Sequence, residues 1–217
     1  MRAPHRNQLV WLSHAAWLNV RGRNWDLQVH TLLEHWHTQR LPLVVCRQRT
    51  AGHADAISLG LPAPLQWDRR KVALEVRTRD LERVGHFPIL TPDLLGAAHA
   101  AQLDEFVQGL NALHLSARVF GSYGWQQLTG LPCVRDQSDL DLLVEVPDLH
   151  TAALVANLLQ GLDLGCRVDG ELVLPQGQAV AWREYAQLRS GQVDQVLIKH
   201  RKGVELCGQA QLEALVC

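Results

Sequence analysis

No stretch of this chain approaches the roughly 20 consecutive apolar residues that a membrane-spanning helix needs, so no membrane association is expected. Residues 1–8 are polar and basic, and no signal-like apolar core follows them. The cysteines (Cys46, Cys133, Cys166, Cys207 and Cys217) are odd in number, scattered, and form no Cys-x-x-Cys pair. That usage fits reduced thiols and a cytoplasmic location rather than a disulfide framework or a zinc site. Charge of one sign is missing too: 21 Lys and Arg face 22 Asp and Glu, for a formal net charge of -1. A nonspecific nucleic-acid binder is usually basic, so no nucleic-acid partner is expected. Among eleven histidines there is no His-Glu-x-x-His string. His35 and His37 in a helix would diverge by roughly 200°, so His30, His35 and His37 are read as a solvated helix face. No internal repeat or low-complexity segment is found.

What is present is 217 residues with 47% hydrophobic content, enough for one large or two small domains with real cores. Composition changes near Phe87-Pro88-Ile89-Leu90-Thr91-Pro92, where two prolines stiffen a connector. The expected division is 1–90, a smaller amino-terminal α+β domain for substrate or partner binding, and 91–217, a catalytic domain. The first half reads as a helix over 25–40 and strands over 43–46 and 72–76. The second reads as an amphipathic helix over 93–113, a helix over 149–162, and strands over 167–174, 180–188 and 193–199, with another at 204–207. Successive strands of this kind imply hairpins and a mixed sheet. Trp11, Trp17, Trp25 and Trp36 are read as core, with stacking on an adenine as the minority alternative.

The informative segment runs from Gly121-Ser122 to Ser138-Asp139-Leu140-Asp141. From Asp139 to Val146 leucine and valine are broken only by acidic positions, and Pro147 ends the run, which reads as a strand. Side chains alternate along a strand, so Asp139 and Asp141 share one face while Leu140 and Leu142 face the core. At roughly 5 Å and an effective dielectric near 20, two such carboxylates repel by about 3 kcal/mol. A divalent cation removes that cost, and oxygen ligands with room for water and phosphate suit Mg2+. Upstream, residues 117–121 read as a buried strand, and Ser122 stands where a helix to Thr129-Gly130 would begin. Glycine lets the backbone approach an anion, and the free amides of the helix start with the Ser122 hydroxyl donate to phosphate. Arg135 offers a further phosphate ligand, and Ser138 a brace for Asp139.

Asp-x-Asp alone occurs at exposed strand ends, and Gly-Ser alone in ordinary turns; in this order and with a helix-sized gap they point to polyphosphate chemistry. The family resemblance given below implies a third carboxylate on a later strand: Asp169 is the choice, Glu171 and Asp194 the alternatives. Asp169-Gly170 also reads as a hairpin turn. Of the basic clusters, Arg69-Arg70-Lys71 is assigned to a nucleotide and Lys199 to Lys202 to a protein partner or a β-turn, with a solvated rim as the bland reading. Arg47 and Arg49 form a third.

The Gly-Ser and Asp-x-Asp segment resembles the polymerase-beta-like nucleotidyltransferase superfamily. Where many minimal members carry a basic residue soon after Gly-Ser, this chain has Tyr123-Gly124-Trp125-Gln126-Gln127-Leu128-Thr129-Gly130. That string, with Arg135, the Leu41 to Val45 and Ile57 to Pro62 segments, Asp169 to Pro175 and Val180 to Glu184, is similar to the phosphoribosyl-dephospho-coenzyme A transferases of bacterial malonate decarboxylase, its holo-acyl carrier protein synthases. The resemblance implies an α+β, nucleotidyltransferase-like mixed sheet. It implies an enzyme that takes 2′-(5″-triphosphoribosyl)-3′-dephospho-coenzyme A and modifies a serine of the acyl carrier protein subunit of malonate decarboxylase, with release of pyrophosphate. Asp139, Asp141 and Asp169 would hold metal, and Gly121 and Ser122 the outgoing phosphates. The competing readings are adenylyl transfer from ATP by another small nucleotidyltransferase, and a degenerate nucleotidyltransferase acting as a binding module.

Overall fold

A computed structural model describes residues 4–48 and 55–216; Arg49 and Cys217 lie outside the described residues. The elements in chain order are β1 (Leu9–Leu12), α1 (His14–Arg21), α2 (Leu27–Thr38), β2 (Leu43–Val45), β3 (Ala56–Pro62), β4 (Lys71–Arg77) and β5 (Leu81–Gly85). There follow α3 (Ala100–Ala112), β6 (Ala117–Phe120), α4 (Gly121–Thr129), β7 (Leu140–Glu145), α5 (Leu149–Gln160) and β8 (Val168–Val173). The last are β9 (Ala179–Ala181), α6 (Trp182–Arg189), β10 (Val196–Lys199), β11 (Val204–Cys207) and α7 (Gln209–Ala214). The fold is α+β with two sheets. Among the described residues no helix is long and apolar enough to cross a membrane.

The chain forms two compact units: Met1–Phe87 with Trp125–Cys133, and Pro88–Gly124 with Val134–Cys217. Sequence reading places 125–133 wholly in the catalytic portion; in the structure α4 begins in the second unit and ends in the first.

The first unit is built on an antiparallel sheet of order β4-β3-β2-β1-β5. The alternation in β4, with Val72, Leu74 and Val76 buried between exposed neighbours, shows one face packed and one face open. Asp26 caps α2 by accepting from the Val29 amide at 3.0 Å, and that helix buries Val29, Leu32, Leu33 and Trp36 at helical spacing. Trp17 and Trp36 are core, and Trp36 donates its indole hydrogen to the Pro42 carbonyl at 2.9 Å. Trp11 is covered by Arg83, 3.6 Å from its ring centre. The expectation of a solvated histidine face holds for His30, which is exposed, and is corrected for the other two. His35 packs on Trp67, and His37 stacks on Trp17. His37 Nδ1 lies 2.9 Å from an Arg21 guanidinium nitrogen, which can only donate. Burial first, then Arg21 and His14, hold its pKa down.

The second unit has a mixed sheet of order β11-β10-β9-β8-β7-β6. All neighbours are antiparallel except β7 and β8, which run parallel because α5 carries the chain back to the same end. Its core joins Leu103, Phe106 and Leu110 of α3, Ala152 and Val155 of α5, Trp182 and Tyr185 of α6 and Leu212 of α7 to Leu142, Leu172, Val180 and Ile198 of the sheet. Two expectations fail here. The strand over 180–188 stops at Ala181, and Trp182–Arg189 is a helix. Trp182, Tyr185 and Leu188 are buried at intervals of three, a helical stripe that alternation cannot produce. The helix expected over 93–113 begins at Ala100. The Thr91-Pro92-Asp93 segment makes a turn instead, and Gly96, at φ 80°, breaks the helical path.

Candidate active site

The site grows out of the β6-α4 junction. Gly121 has φ 62°, a left-handed conformation that permits the chain to leave the strand and turn at once into α4. It also clears space: a Cβ on Gly121 would lie 1.9 Å from Asp141 Oδ2 and 2.8 Å from Asp141 Cγ. The register explains why, since Phe120 pairs with Asp141 across β6 and β7. Ser122 follows in the first turn of α4, where backbone amides have no intrahelical acceptor. A carboxylate thus sits directly against the start of an amide-lined turn.

Asp139 and Asp141 flank Leu140, which is fully buried, so both carboxylates lie on the side away from it, half-buried. Parallel pairing of β7 with β8 sets Asp141 beside Asp169 and Leu143 beside Glu171. The Asp169-Gly170 dipeptide is therefore the middle of a strand and not a hairpin turn. Gly170 is required there: a Cβ would stand 2.3 Å from the Leu142 carbonyl oxygen, so only glycine lets β7 and β8 close to their pairing distance.

Electrostatics single out Asp141. Burial first, then Asp169, Asp139 and Glu171, push its carboxyl up to about 6, against a smaller opposing pull from Arg167. Asp169 accepts from Arg167 at 3.3 Å and from the Gly170 amide at 3.0 Å. Glu171 is 6% exposed and is bound to Lys199 at 2.8 Å, so its charge is already matched. Asp194 is exposed in the loop before β10 and is not among the charges that act on Asp141. Of the three sequence alternatives, Asp169 is the one that faces Asp141 with an oxygen not committed to a lysine.

The other predicted site residues fall into two groups. Arg135 and Ser138 close a turn on each other: the Arg135 amide donates to Ser138 Oγ at 2.9 Å, and the Ser138 amide to the Arg135 carbonyl at 2.9 Å. This leaves the Arg135 side chain exposed and gives the Ser138 hydroxyl a structural partner. Arg69, Arg70 and Lys71 belong to the other unit. Arg70 is engaged there by Asp26 and Gln28, while Lys71 opens β4 on its exposed side. Sequence reasoning missed Tyr123 and Cys166. The thiol lies by the Leu140 amide and near Asp139, and burial first, then Asp139, raises its pKa; Tyr123 is raised by burial and then by Cys166. It also missed the Lys199–Glu171 pair, which only the register of β8, β9 and β10 reveals.

The donor set suits a hard cation. Among the described residues no three His, Cys, Asp or Glu side chains form a cage by themselves, as a structural zinc would need. Instead, burial first and then the neighbouring carboxylates raise Asp141. Magnesium is commonly held by one or two carboxylates together with substrate phosphates, and Asp139 and Asp141 beside the Gly121-Ser122 turn offer that set.

Comparison with known proteins agrees in extent with this layout. Residues 5–87 match the phosphoribosyl-dephospho-CoA transferase MdcG N-terminal domain and residues 90–210 the phosphoribosyl-dephospho-CoA transferase MdcG C-terminal domain. A phosphoribosyl-dephospho-CoA transferase of Xanthomonas euvesicatoria is 35% identical over 214 residues, covering 95% of each chain. Another, from Bradyrhizobium diazoefficiens, is 34% identical over 219 residues, covering 97% of this chain and 92% of the relative. A third, from Pseudomonas putida, is 30% identical over 213 residues, covering 95% and 94%. No solved structure matches the chain.

Proposed function

Because the chain belongs to the phosphoribosyl-dephospho-CoA transferase family and is a transferase, we propose that it modifies a serine of the acyl carrier subunit of malonate decarboxylase. The donor is 2′-(5″-triphosphoribosyl)-3′-dephospho-coenzyme A. The serine oxygen forms a bond to the phosphorus next to the ribose, the bond from that phosphorus to the pyrophosphate oxygen breaks, and the serine proton is released. The products are a phosphodiester-linked carrier and pyrophosphate.

The observation that carries this reading is the seat of Asp141 over Gly121 with Asp169 beside it. Asp139 and Asp141 hold the metal edge of the site, and Mg2+ bound there would neutralise phosphate charge as it develops. The Gly121 and Ser122 turn receives the departing phosphates through backbone amides and a hydroxyl, a preorganised set of donors. Asp169, oriented by Arg167 and the Gly170 amide, favours loss of the serine proton. Arg135, on an exposed turn, supplies a further cation for the donor's phosphates. The free thiols at Cys46, Cys133, Cys166 and Cys207 are in keeping with a reducing cytoplasm.

The test is mass spectrometry of the carrier after incubation with enzyme, magnesium and either the triphosphoribosyl donor or ATP. A mass gain of phosphoribosyl-dephospho-CoA with the donor alone supports the reading. An adenylyl gain with ATP, or full modification by Asp139→Asn, refutes it.

A further inference from the structure

The registers of the second unit can be followed strand by strand along the face that carries the carboxylates. Asp141 and Asp169 are paired, as are Leu143 and Glu171. Glu171 pairs with Ala181, and Val173 with Ala179. Ala179 pairs with Lys199. Lys199 pairs with Val204, and Leu197 with Leu206. Directly opposed residues project to the same side of a sheet, and the alternate residues Leu172, Val180, Val196 and Ile198 are all in the core. The α3, α5, α6 and α7 side chains Leu103, Val155, Tyr185 and Leu212 pack into that same core. The face opposite that core therefore runs from Asp141 through Glu171, Ala181 and Ala179, where Glu171 and Ala179 are buried, to Leu197, half-buried, and to Val204 and Leu206, which are exposed.

Its far end is unusual. Among the described residues the large apolar side chains exposed to solvent are Leu18, Leu27, Ile89, Val204 and Leu206, and only the last two share a strand. Leu206 is 60% exposed and Val204 48%. They lie on β11, the outer strand of the sheet. The turn that joins β10 to β11, closed by the His200 amide on the Gly203 carbonyl at 3.0 Å, carries Arg201 and Lys202. Glu205, between the apolar pair, points to the other side, where it acts on Cys207. On the carboxylate side, Glu171 is already bound to Lys199. An apolar pair bordered by cations, with its near acids paired or turned away, is complementary to a surface that offers apolar side chains among acidic ones.

Resting on the transfer reaction proposed above, we infer that Leu197, Val204 and Leu206, with Arg201 and Lys202, form the docking surface for an acidic carrier protein whose serine is modified at Asp139 and Asp141. Strand spacing fixes the geometry. From β7 to β11 is four steps of about 4.8 Å, or about 19 Å, and sheet twist turns the β11 end by roughly 20–25° per strand. The carrier lies beside the carboxylates and not above them, and its modified serine stands about 19 Å from its apolar contact.

Two variant pairs test this, Val204→Asp with Leu206→Asp and Arg201→Glu with Lys202→Glu. All four positions are on the outer strand or its turn, and a melting curve checks that each protein folds. The expected result is a rise in KM for the acyl carrier subunit of at least about tenfold with the apolar pair. The charge pair should slow association and remove its dependence on salt. Release of pyrophosphate from the triphosphoribosyl donor to water, measured without carrier, should stay at the wild-type rate. An unchanged carrier KM in both pairs overturns the docking surface. So does a wild-type homodimer that the apolar pair dissociates, since the occupant would then be a second copy. Titration of unmodified carrier without donor separates the two proposals. Binding that the variants lose, from a wild type that transfers nothing, overturns the reaction and keeps the surface. Full transfer by all proteins overturns the surface and keeps the reaction.

Discussion

Asp141 occupies the volume that any side chain on Gly121 would fill: its Oδ2 would be 1.9 Å from a Cβ placed there. The amide-rich turn and the most perturbed carboxylate of the site are thus fitted to one another by the absence of a single carbon. Antiparallel pairing of Phe120 with Asp141 makes this contact unavoidable once β6 and β7 form.

Gly121→Ala therefore has two effects of different size. The left-handed backbone costs an alanine about 1 kcal/mol, which a urea melt would register. Displacement of Asp141 by an ångström or so costs more, about 10²-fold or greater in the rate of carrier modification. The expected signature is a folded protein with little activity, and wild-type activity would contradict it.

Asp141 also predicts a pH dependence. Its folded value of about 6 lies above the ordinary 3.8, so the native state holds a proton that the unfolded chain has lost between those values. The stability tied to this proton is fully present below 3.8 and fades as pH rises through 6. In metal-free protein, Asp141→Asn should raise Tm at pH 8 by about 2–4 °C after allowance for solvent screening. At pH 4 the difference should vanish. Magnesium should raise the wild-type Tm at pH 8 and leave the variant's where it was.

The three acids proposed for the third position separate by their partners. Asp169→Asn should abolish transfer with little change in stability, because it faces Asp141. Asp194→Asn, at an exposed loop, should behave as wild type in both assays. Glu171→Gln leaves Lys199 without its carboxylate, and since that lysine is about one-third exposed the expected loss is about 1–2 kcal/mol in a urea melt.

Gly170→Ala is predicted to fail at folding and not at chemistry. A methyl 2.3 Å from the Leu142 carbonyl oxygen forces β7 from β8, and about 2–4 kcal/mol of destabilisation follows. Soluble yield and the urea midpoint read this directly, and a midpoint within error of wild type would refute it.

The strand Leu140–Glu145 was legible because leucine and valine are interrupted only by acids and Pro147 ends the run, and the Gly121-Ser122 turn because glycine precedes a helix-length gap. Trp182 to Arg189 was misread because β9 ends at Ala181 and the helix begins at Trp182, so no turn residue marks the change. The short β1 and β5 carry too few residues for a period to show. The choice among Asp169, Glu171 and Asp194 was closed to the sequence for a different reason. It depends on register between strands separated by α5, and on Lys199 reaching Glu171 across two strand intervals. Neither relation leaves a local trace in composition or spacing.

The helix that opens with Gly121 and Ser122 closes among the aromatic side chains of the other unit, where Trp125 meets Trp36 and Phe87. A scissor cut near residue 90, which the prolines invite, would leave one fragment missing an indole from its interior and the other with that indole stranded in water. The linear map of this chain can be drawn as two blocks, but the first compact unit cannot be cut out of it as one continuous stretch: it takes residues Trp125–Cys133 from beyond the prolines.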